Sequence, residues 1–288
     1  MIISVASGKG GTGKTLIATN LALSLNDVGK VQLLDCDVEA PNAHIFIEPV
    51  ITRREAVAIP VPVVDEDKCT YCGLCAEVCA YNAMAVIEGH VLVFPELCHG
   101  CGACGYLCPE KAISEQKKEI GVVESGHLAE MSFVQGKLNV GQAMPTPVIK
   151  KVKEKIEQDA ISIVDVSPGT SCPVVESIKD SDFCILVTEP TPFGLNDLVL
   201  AVQTVQKLNI PCGVVINRVG IGDGRVKAYC QEENIQVLLE IPLDTTIARL
   251  YSEGLPLVAY MSSWRKEFVG LYRLVQERLH EGSRSTKR

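Results

Sequence analysis

A glycine-rich segment near the N-terminus has the residue types and spacing needed to hold a nucleotide phosphate. Residues 8–15 read GKGGTGKT, which fits G-x-x-x-x-G-K-T and lies between an apolar stretch and a stretch with helical spacing. Glycines allow backbone N–H groups to surround phosphate oxygens, and the helix N-terminus adds its dipole. We expect Lys14 to contact the β and γ phosphates of ATP and Thr15 to coordinate Mg²⁺. The residues expected to bind ATP or ADP here are Gly8, Gly10, Gly11, Thr12, Gly13, Lys14 and Thr15.

Eight of the thirteen cysteines fall in two runs with the same spacing, C-x2-C-x2-C-x3-C, in residues 68–80 and 97–109. Structural zinc sites favour two separated cysteine pairs, and four thiols this close would be crowded for disulfides. The spacing resembles that of bacterial ferredoxins, in which three cysteines of one run and the fourth of the other hold each 4Fe-4S cluster. By this resemblance, two clusters are expected. Their ligands would be Cys69, Cys72, Cys75 and Cys108 for the first, and Cys98, Cys101, Cys104 and Cys79 for the second.

The glycine-rich loop contains a second lysine, Lys9, directly after its first glycine. This makes it similar to the deviant Walker A motif of the MinD, ParA, Mrp and nitrogenase iron-protein family of P-loop ATPases, and the resemblance extends from residue 1 to about residue 260. In that family this lysine reaches the nucleotide of a partner subunit. The resemblance therefore implies a nucleotide-dependent homodimer, or a heterodimer with a paralogue, in which Lys9 and Lys14 are catalytic. A solvent-exposed loop lysine is the alternative interpretation of Lys9.

Other segments match the family at the ends of strand-like runs, where polar side chains would meet beside the phosphates. In LLDCDVEAPN, the resemblance implies that Asp37 orients the attacking water and that Asp35 has a switch role near Mg²⁺. Either aspartate could instead cap the following helix. In IVDVSPGTS, Asp165 would lie near Mg²⁺. The resemblance also implies that Asn217 contacts adenine and that the backbone at Pro242 passes along the base.

These residues must be positioned by short buried strands that alternate with helices. Strand-like apolar runs occupy residues 1–6, 31–34, 161–166, 184–187, 212–216 and 237–241, and helical spacing occupies residues 15–25, 197–208 and 225–232. This alternation predicts an α/β P-loop NTPase fold with a mainly parallel sheet covered by helices on both faces.

The alternation is interrupted between residues 60 and 118, where cysteine, proline and short turns replace the long periods. We therefore predict a discontinuous ATPase domain of residues 1–59 and 119–288, with an inserted small α+β ferredoxin-like domain at 60–118. Residues 121–148 are weakly periodic and could form a hairpin that joins the insertion back to the ATPase. A C-terminal helix is predicted to pack its apolar face, and residues 282–288 form a polar basic tail.

Composition limits the function classes. The net charge of −8 disfavours nonspecific binding to nucleic acid or anionic lipid. Neither a charged leader nor a long apolar segment is evident, which predicts a cytoplasmic protein. The remaining hypotheses are an ATPase that gates electron transfer to a partner metalloprotein and an ATP-dependent assembly factor for metalloclusters in a client protein. A membrane- or DNA-positioning ATPase is a third, disfavoured class.

Overall fold

The computed structural model describes residues 1–285, with side chains described to residue 281. The strands in this range are β1 Ile2–Ala6, β2 Val31–Asp35, β3 Val50–Val64, β4 Met84–Ile87, β5 His90–Val93, β6 Ile113–Leu128, β7 Met131–Leu138, β8 Ile161–Asp165, β9 Phe183–Thr188, β10 Cys212–Val219 and β11 Val237–Pro242. The helices are α1 Lys14–Leu25, α2 Ala43–Ile47, α3 Leu74–Glu77, α4 Ala103–Leu107, α5 Thr146–Lys153, α6 Cys172–Ile178, α7 Pro192–Lys207, α8 Arg225–Glu232, α9 Thr245–Ser252, α10 Leu257–Tyr260 and α11 Ser263–Ser285.

Nine of these strands form one sheet in the order β11-β10-β9-β1-β8-β2-β7-β6-β3. The strands from β11 to β7 pair in parallel, and β6 pairs antiparallel with both β7 and β3. One apolar core lies between the sheet and helices α1, α9, α10 and α11, and a second lies under α5, α6, α7 and α8. All six predicted strands and the predicted α/β architecture with helices on both faces are confirmed.

The predicted hairpin is confirmed in residues 121–138, because β6 turns into β7 at residues 129–130, whereas residues 139–148 form a loop and the start of α5. The first strand of the hairpin extends beyond residues 121–138. The strands β3 and β6 pair from Val50–His127 to Val64–Ile113, and we call this long two-stranded element the β3–β6 ribbon. The ribbon crosses both predicted boundaries, 59/60 and 118/119. The division into two domains stays a prediction, and any such insertion would share both strands with the main sheet.

The C-terminal helix α11 packs as predicted. Phe268, Leu271 and Val275 are at most 1% exposed and belong to the core that also contains α1. The apolar face of α11 is therefore covered by the protein itself. Across the described residues, the structure has no helix with both the length and the apolar character to cross a bilayer. The predicted polar tail, residues 282–288, lies outside the described side chains.

Candidate functional site

The glycine-rich loop connects the carboxyl end of β1 to α1. Gly13 has a φ of 100°, and a methyl group on it would lie 2.4 Å from Asn217 Nδ2. Asn217 Nδ2 itself donates to the Thr12 carbonyl oxygen at 2.8 Å. A methyl group on Gly8 would lie 2.2 Å from the backbone oxygen of Asp197. Gly13 therefore excludes larger residues through its backbone conformation and through lack of space. Gly8 excludes them through lack of space alone.

A set of oxygen atoms suited to a divalent cation lies at the start of α1. Thr15 Oγ1 is 2.6 Å from Asp165 Oδ2 and 2.9 Å from Asn42 Oδ1. The other oxygen of Asp165, Oδ1, is buried and has no hydrogen-bond partner in the described part of the chain. Burial raises the pKa of Asp165 to about 6, although Lys14 and the Thr15 hydroxyl act in the opposite direction. A cation would favour the ionised carboxylate, so these residues fit Mg²⁺.

Asp35 lies beside Asp165 in the β2–β8 pairing. Its carboxylate accepts hydrogen bonds at 3.0 Å from the backbone N–H groups of Asp37, Asn42 and Ala43. Burial and the charge of Asp165 raise the pKa of Asp35 well above its usual value. Asp35 thus holds the loop that carries Asp37 and the start of α2, in agreement with the capping alternative. Its role near Mg²⁺ and the role of the half-buried Asp37 toward water stay predictions.

The two predicted catalytic lysines have different environments. Lys14 is only 6% exposed, and its charge lowers the pKa of Asp165. Lys9 is partly exposed, and its Nζ lies 2.6 Å from Glu189 Oε1. Glu189 also accepts a hydrogen bond from Arg218 Nη1 at 2.9 Å. The sequence did not indicate this acidic partner of Lys9. Catalytic roles for both lysines stay predictions.

A cavity of about 310 Å³ adjoins the glycine-rich loop. Both residues predicted near adenine, Asn217 and Pro242, line it together with Gly11 and Gly13. Its size and mixed wall suit a nucleoside, and adenine binding stays a prediction. The other lining residues, which sequence reasoning missed, are Leu16, Arg218, Leu243, Asp244, Ile247, Ala248 and Tyr251.

The eight clustered cysteines line two further, much smaller cavities of about 20 Å³ each. Each cavity combines three cysteines of one run with the fourth of the other, as the ferredoxin spacing implied. The first is lined by Cys69, Cys72, Cys75 and Cys108, and the second by Cys79, Cys98, Cys101 and Cys104. No pair in either set forms a disulfide. In the described residues, no group of His, Cys, Asp or Glu side chains is arranged to hold a single metal ion.

The two cavities have matching local structure. In each run the first cysteine accepts a backbone N–H bond, from Tyr71 to Cys69 Sγ at 3.4 Å and from Gly100 to Cys98 Sγ at 3.4 Å. The fourth cysteines, Cys79 and Cys108, accept similar bonds from the backbone N–H groups of residues 83 and 112. Backbone N–H groups directed at sulfur are a common feature of iron–sulfur sites. The donor atoms of each cavity, four thiols with backbone N–H groups directed at sulfur, therefore fit a 4Fe-4S cluster.

The other cysteines have simpler surroundings. Cys36 and Cys184 are fully buried, and Cys212 packs against the same core as Cys184. Cys184 and Cys212 therefore behave as small apolar residues. Cys172 is exposed at the first residue of α6, and nothing in the structure gives it a role.

Comparison with known proteins agrees with this geometry. The family model described as CobQ/CobB/MinD/ParA nucleotide binding domain matches residues 3–257. An uncharacterised protein of Methanocaldococcus jannaschii is 34% identical over 265 residues, which are 90% of this chain and 92% of that protein. The iron-sulfur cluster carrier protein of the same organism is 25% identical and covers 96% of this chain and 84% of its own length.

Solved structures show the same fold. The septum site-determining protein MinD of Pyrococcus horikoshii, complexed with Mg-ADP, superposes with a TM-score of 0.57 at 20% identity and covers 94% of this chain and 93% of its own. The cell division ATPase MinD of Pyrococcus furiosus has a TM-score of 0.59 at 20% identity over 96% of this chain and 98% of its own. The chain therefore belongs to the CobQ/CobB/MinD/ParA family of nucleotide-binding domains.

Proposed function

We propose that this protein is a dimeric, Mg-ATP-hydrolysing iron–sulfur protein, in which the nucleotide state controls electron transfer through two 4Fe-4S clusters to a partner metalloprotein. The observation that carries this proposal is the β3–β6 ribbon, because it connects the nucleotide site to both cysteine cavities. Strand β3 begins shortly after α2, which follows Asn42, and Asn42 contacts Thr15 of the glycine-rich loop. At the far end, Val64 and Ile113 line the first cavity.

The ribbon also forms part of the second cavity, which is lined by Pro60, Pro62 and Glu115. The β3–β6 pairing continues across two shifts in register, after Ile51 and after Val57, and paired strands move as one unit more readily than a single flexible linker would. A change in the loop between Asp35 and α2, driven by the γ-phosphate, would reach both cavities through this unit. Loops that respond to the γ-phosphate in this way are a known switching element.

In the proposed nucleotide cycle, the residues act by position and charge. Lys14 neutralises phosphate charge, Thr15 and Asp165 hold Mg²⁺, and Asp37 orients the attacking water. Lys9 acts on the nucleotide of the second subunit. Bound to the eight cysteines, the clusters supply one-electron redox chemistry, and the protein provides the thiolates and the N–H groups around sulfur.

An ATP-dependent carrier or assembly factor for iron–sulfur clusters is the second candidate function. It is favoured by the likeness to iron-sulfur cluster carrier proteins at about 25% identity. Two features favour stable clusters instead: each cavity has four cysteines supplied by one chain, and both sets receive backbone N–H bonds. Neither nucleic acid nor a membrane is proposed as a partner, because the net charge is −8 and the apolar face of α11 is buried.

The test is to measure the reduction potentials of the clusters in anaerobically purified protein without nucleotide, with Mg-ADP and with a nonhydrolysable ATP analogue. We expect a difference of about 60 mV, which corresponds to roughly 1.4 kcal/mol for one electron. The variant Asn42→Ala should reduce this difference, because it removes the contact with Thr15. The exposed Asn139, which lies outside this contact, provides the control Asn139→Ala.

Potentials that do not change with nucleotide would contradict the proposal. A second measurement then distinguishes the alternative, namely transfer of clusters from the loaded protein to an apo acceptor protein with and without ATP. ATP-dependent transfer together with constant potentials would favour the carrier function.

A further inference from the structure

The buried carboxylate of Glu189 is bonded to two cations beside the glycine-rich loop. Glu189 follows directly after β9, and its side chain is only 12% exposed. Oε1 lies 2.6 Å from Lys9 Nζ, and Oε2 lies 2.9 Å from Arg218 Nη1. The two oxygens therefore have separate partners, so the loss of one ion pair leaves the other intact.

Arg218 also fixes the backbone of the loop. Its Nη2 donates to the Gly11 carbonyl oxygen at 3.0 Å, while Ser7 Oγ donates to the Lys9 carbonyl oxygen at 2.6 Å. Glu189 thus holds the side chain of Lys9 while Arg218 and Ser7 hold backbone atoms of the same loop. The conformation of Lys9 in this structure depends on contacts within its own subunit.

The electrostatics of this cluster favour a charged Glu189. Burial acts to raise the pKa of Glu189, but the bond to Lys9 and the charge of Arg218 outweigh burial and lower that pKa. A charged carboxylate at low exposure needs a cation close by. Arg218 remains as that cation if Lys9 leaves, so Lys9 can be released and recaptured without leaving a buried charge unpaired.

We propose that Glu189 is a positioning residue that holds Lys9 within its own subunit and so opposes dimerisation until ATP makes the partner subunit's nucleotide a better ligand for Lys9. This inference rests on the dimer of the proposed function. Lys9 is bonded to Glu189 here and is one-third exposed, so the bond must break before its ammonium group can reach a second subunit. The two contacts of Lys9 therefore compete.

The first test measures the reactivity of the Lys9 amine in the nucleotide-free, cluster-loaded protein by limited acetylation and mass spectrometry, with exposed Lys207 as the reference amine. Wild-type Lys9 should react more slowly than Lys207. The variant Glu189→Gln should raise the rate for Lys9 at least about threefold, because it removes the charge and retains the shape. The matched control is Glu176→Gln, since Glu176 is 13% exposed and pairs with Lys179 at 2.6 Å in another part of the fold. It should leave the rate for Lys9 unchanged.

The second test measures dimerisation by sedimentation with a nonhydrolysable ATP analogue. Glu189→Gln should lower the dimer dissociation constant about fivefold. In a Lys9→Ala background the same substitution should have no effect, because the competing contact is already absent.

Wild-type Lys9 that reacts as fast as Lys207, or a Glu189→Gln rate equal to wild type, would overturn the proposal. Weaker dimerisation of Glu189→Gln would also overturn it, since Glu189 would then act across the interface. If the wild-type protein forms no dimer with any nucleotide, the proposed dimeric function fails. The reactivity measurement would still decide whether Glu189 holds Lys9, and wild-type Lys9 that reacts as fast as Lys207 would overturn that contact even if the variant does not fold.

Discussion

Replacement of Gly13 by alanine should weaken nucleotide binding strongly while leaving the fold intact. The φ of 100° at Gly13 costs a residue with a side chain about 1–2 kcal/mol. The new methyl group would also lie 2.4 Å from Asn217 Nδ2 and displace it from the Thr12 carbonyl oxygen, a bond worth about 1 kcal/mol. The nucleotide-free loop can relax to avoid both costs, and the nucleotide must then restore the original conformation. The expected loss is about 2–3 kcal/mol, or roughly 30- to 150-fold in ADP affinity.

Isothermal titration of Mg-ADP into wild-type and variant protein measures this loss. Gly141→Ala is the control, because Gly141 also has a positive φ, 81°, but a methyl group on it would meet nothing within 4 Å. It should lower the free energy of unfolding by about 1 kcal/mol and leave ADP affinity unchanged. An ADP affinity for Gly13→Ala within about threefold of wild type would refute the reasoning, because a factor of that size corresponds to only about 0.7 kcal/mol.

Three further substitutions test other parts of the structure. Cys108→Ser should remove about half of the iron, and alkylation with mass spectrometry should then label the cysteines of the first cavity. Labelling of the second cavity instead would contradict the shared ligation. As a control, Cys172→Ser should retain both clusters. Asp165→Asn should raise the free energy of unfolding of metal-free protein at pH 7 by about 1–2 kcal/mol and abolish the gain in ADP affinity from Mg²⁺. The pKa of Asp165 is raised to about 6, so ionisation of this carboxyl destabilises the folded protein as the pH rises from about 4 to 6. A variant that is less stable than wild type in denaturant unfolding would refute this. Phe268→Ala should lower the free energy of unfolding by about 3–5 kcal/mol, because Phe268 is fully buried, and a loss below about 1 kcal/mol would contradict the packing of α11.

The sequence predicted those parts of the fold that depend on local patterns. The runs that became β1, β2 and β8 are short and mainly apolar, and nearly every residue in them is buried, as expected for parallel strands covered on both faces. Because parallel strands place their carboxyl ends at one edge of the sheet, the loop before α1 and the aspartates at the ends of β2 and β8 were expected to lie close together. The structure places Thr15 and Asp165 within 2.6 Å of each other.

Two features could not be predicted in the same way. Strand β3 contains Pro60 and Pro62, which usually indicate the end of a strand, so the insertion was predicted to begin there. The pairing of β3 with β6 continues past Pro60 and Pro62 because β3 is the edge strand of the sheet. At an edge, the N–H that proline lacks can face away from the sheet, where no neighbouring strand would accept it. The second feature is the bond between Lys9 and Glu189, which joins residues 180 positions apart. A local pattern in the sequence cannot indicate a side-chain contact between residues that far apart in the chain.

The length of the paired strands β3 and β6 also determines the distance between the nucleotide site and the cysteine cavities. Adding one residue to each strand would lengthen the ribbon by about 3.3 Å and would turn its outer side chains to the opposite face. The first cavity, whose lining includes Val64 and Ile113, would turn with the end of the ribbon relative to the nucleotide site. In a regular ladder, additions of two residues per strand, about 7 Å in length, keep the same facing, whereas irregularities in register such as those after Ile51 and after Val57 can absorb a single residue. The lengths of β3 and β6 therefore set both the distance between the two kinds of site and the face that the cysteine cavities present to the nucleotide site.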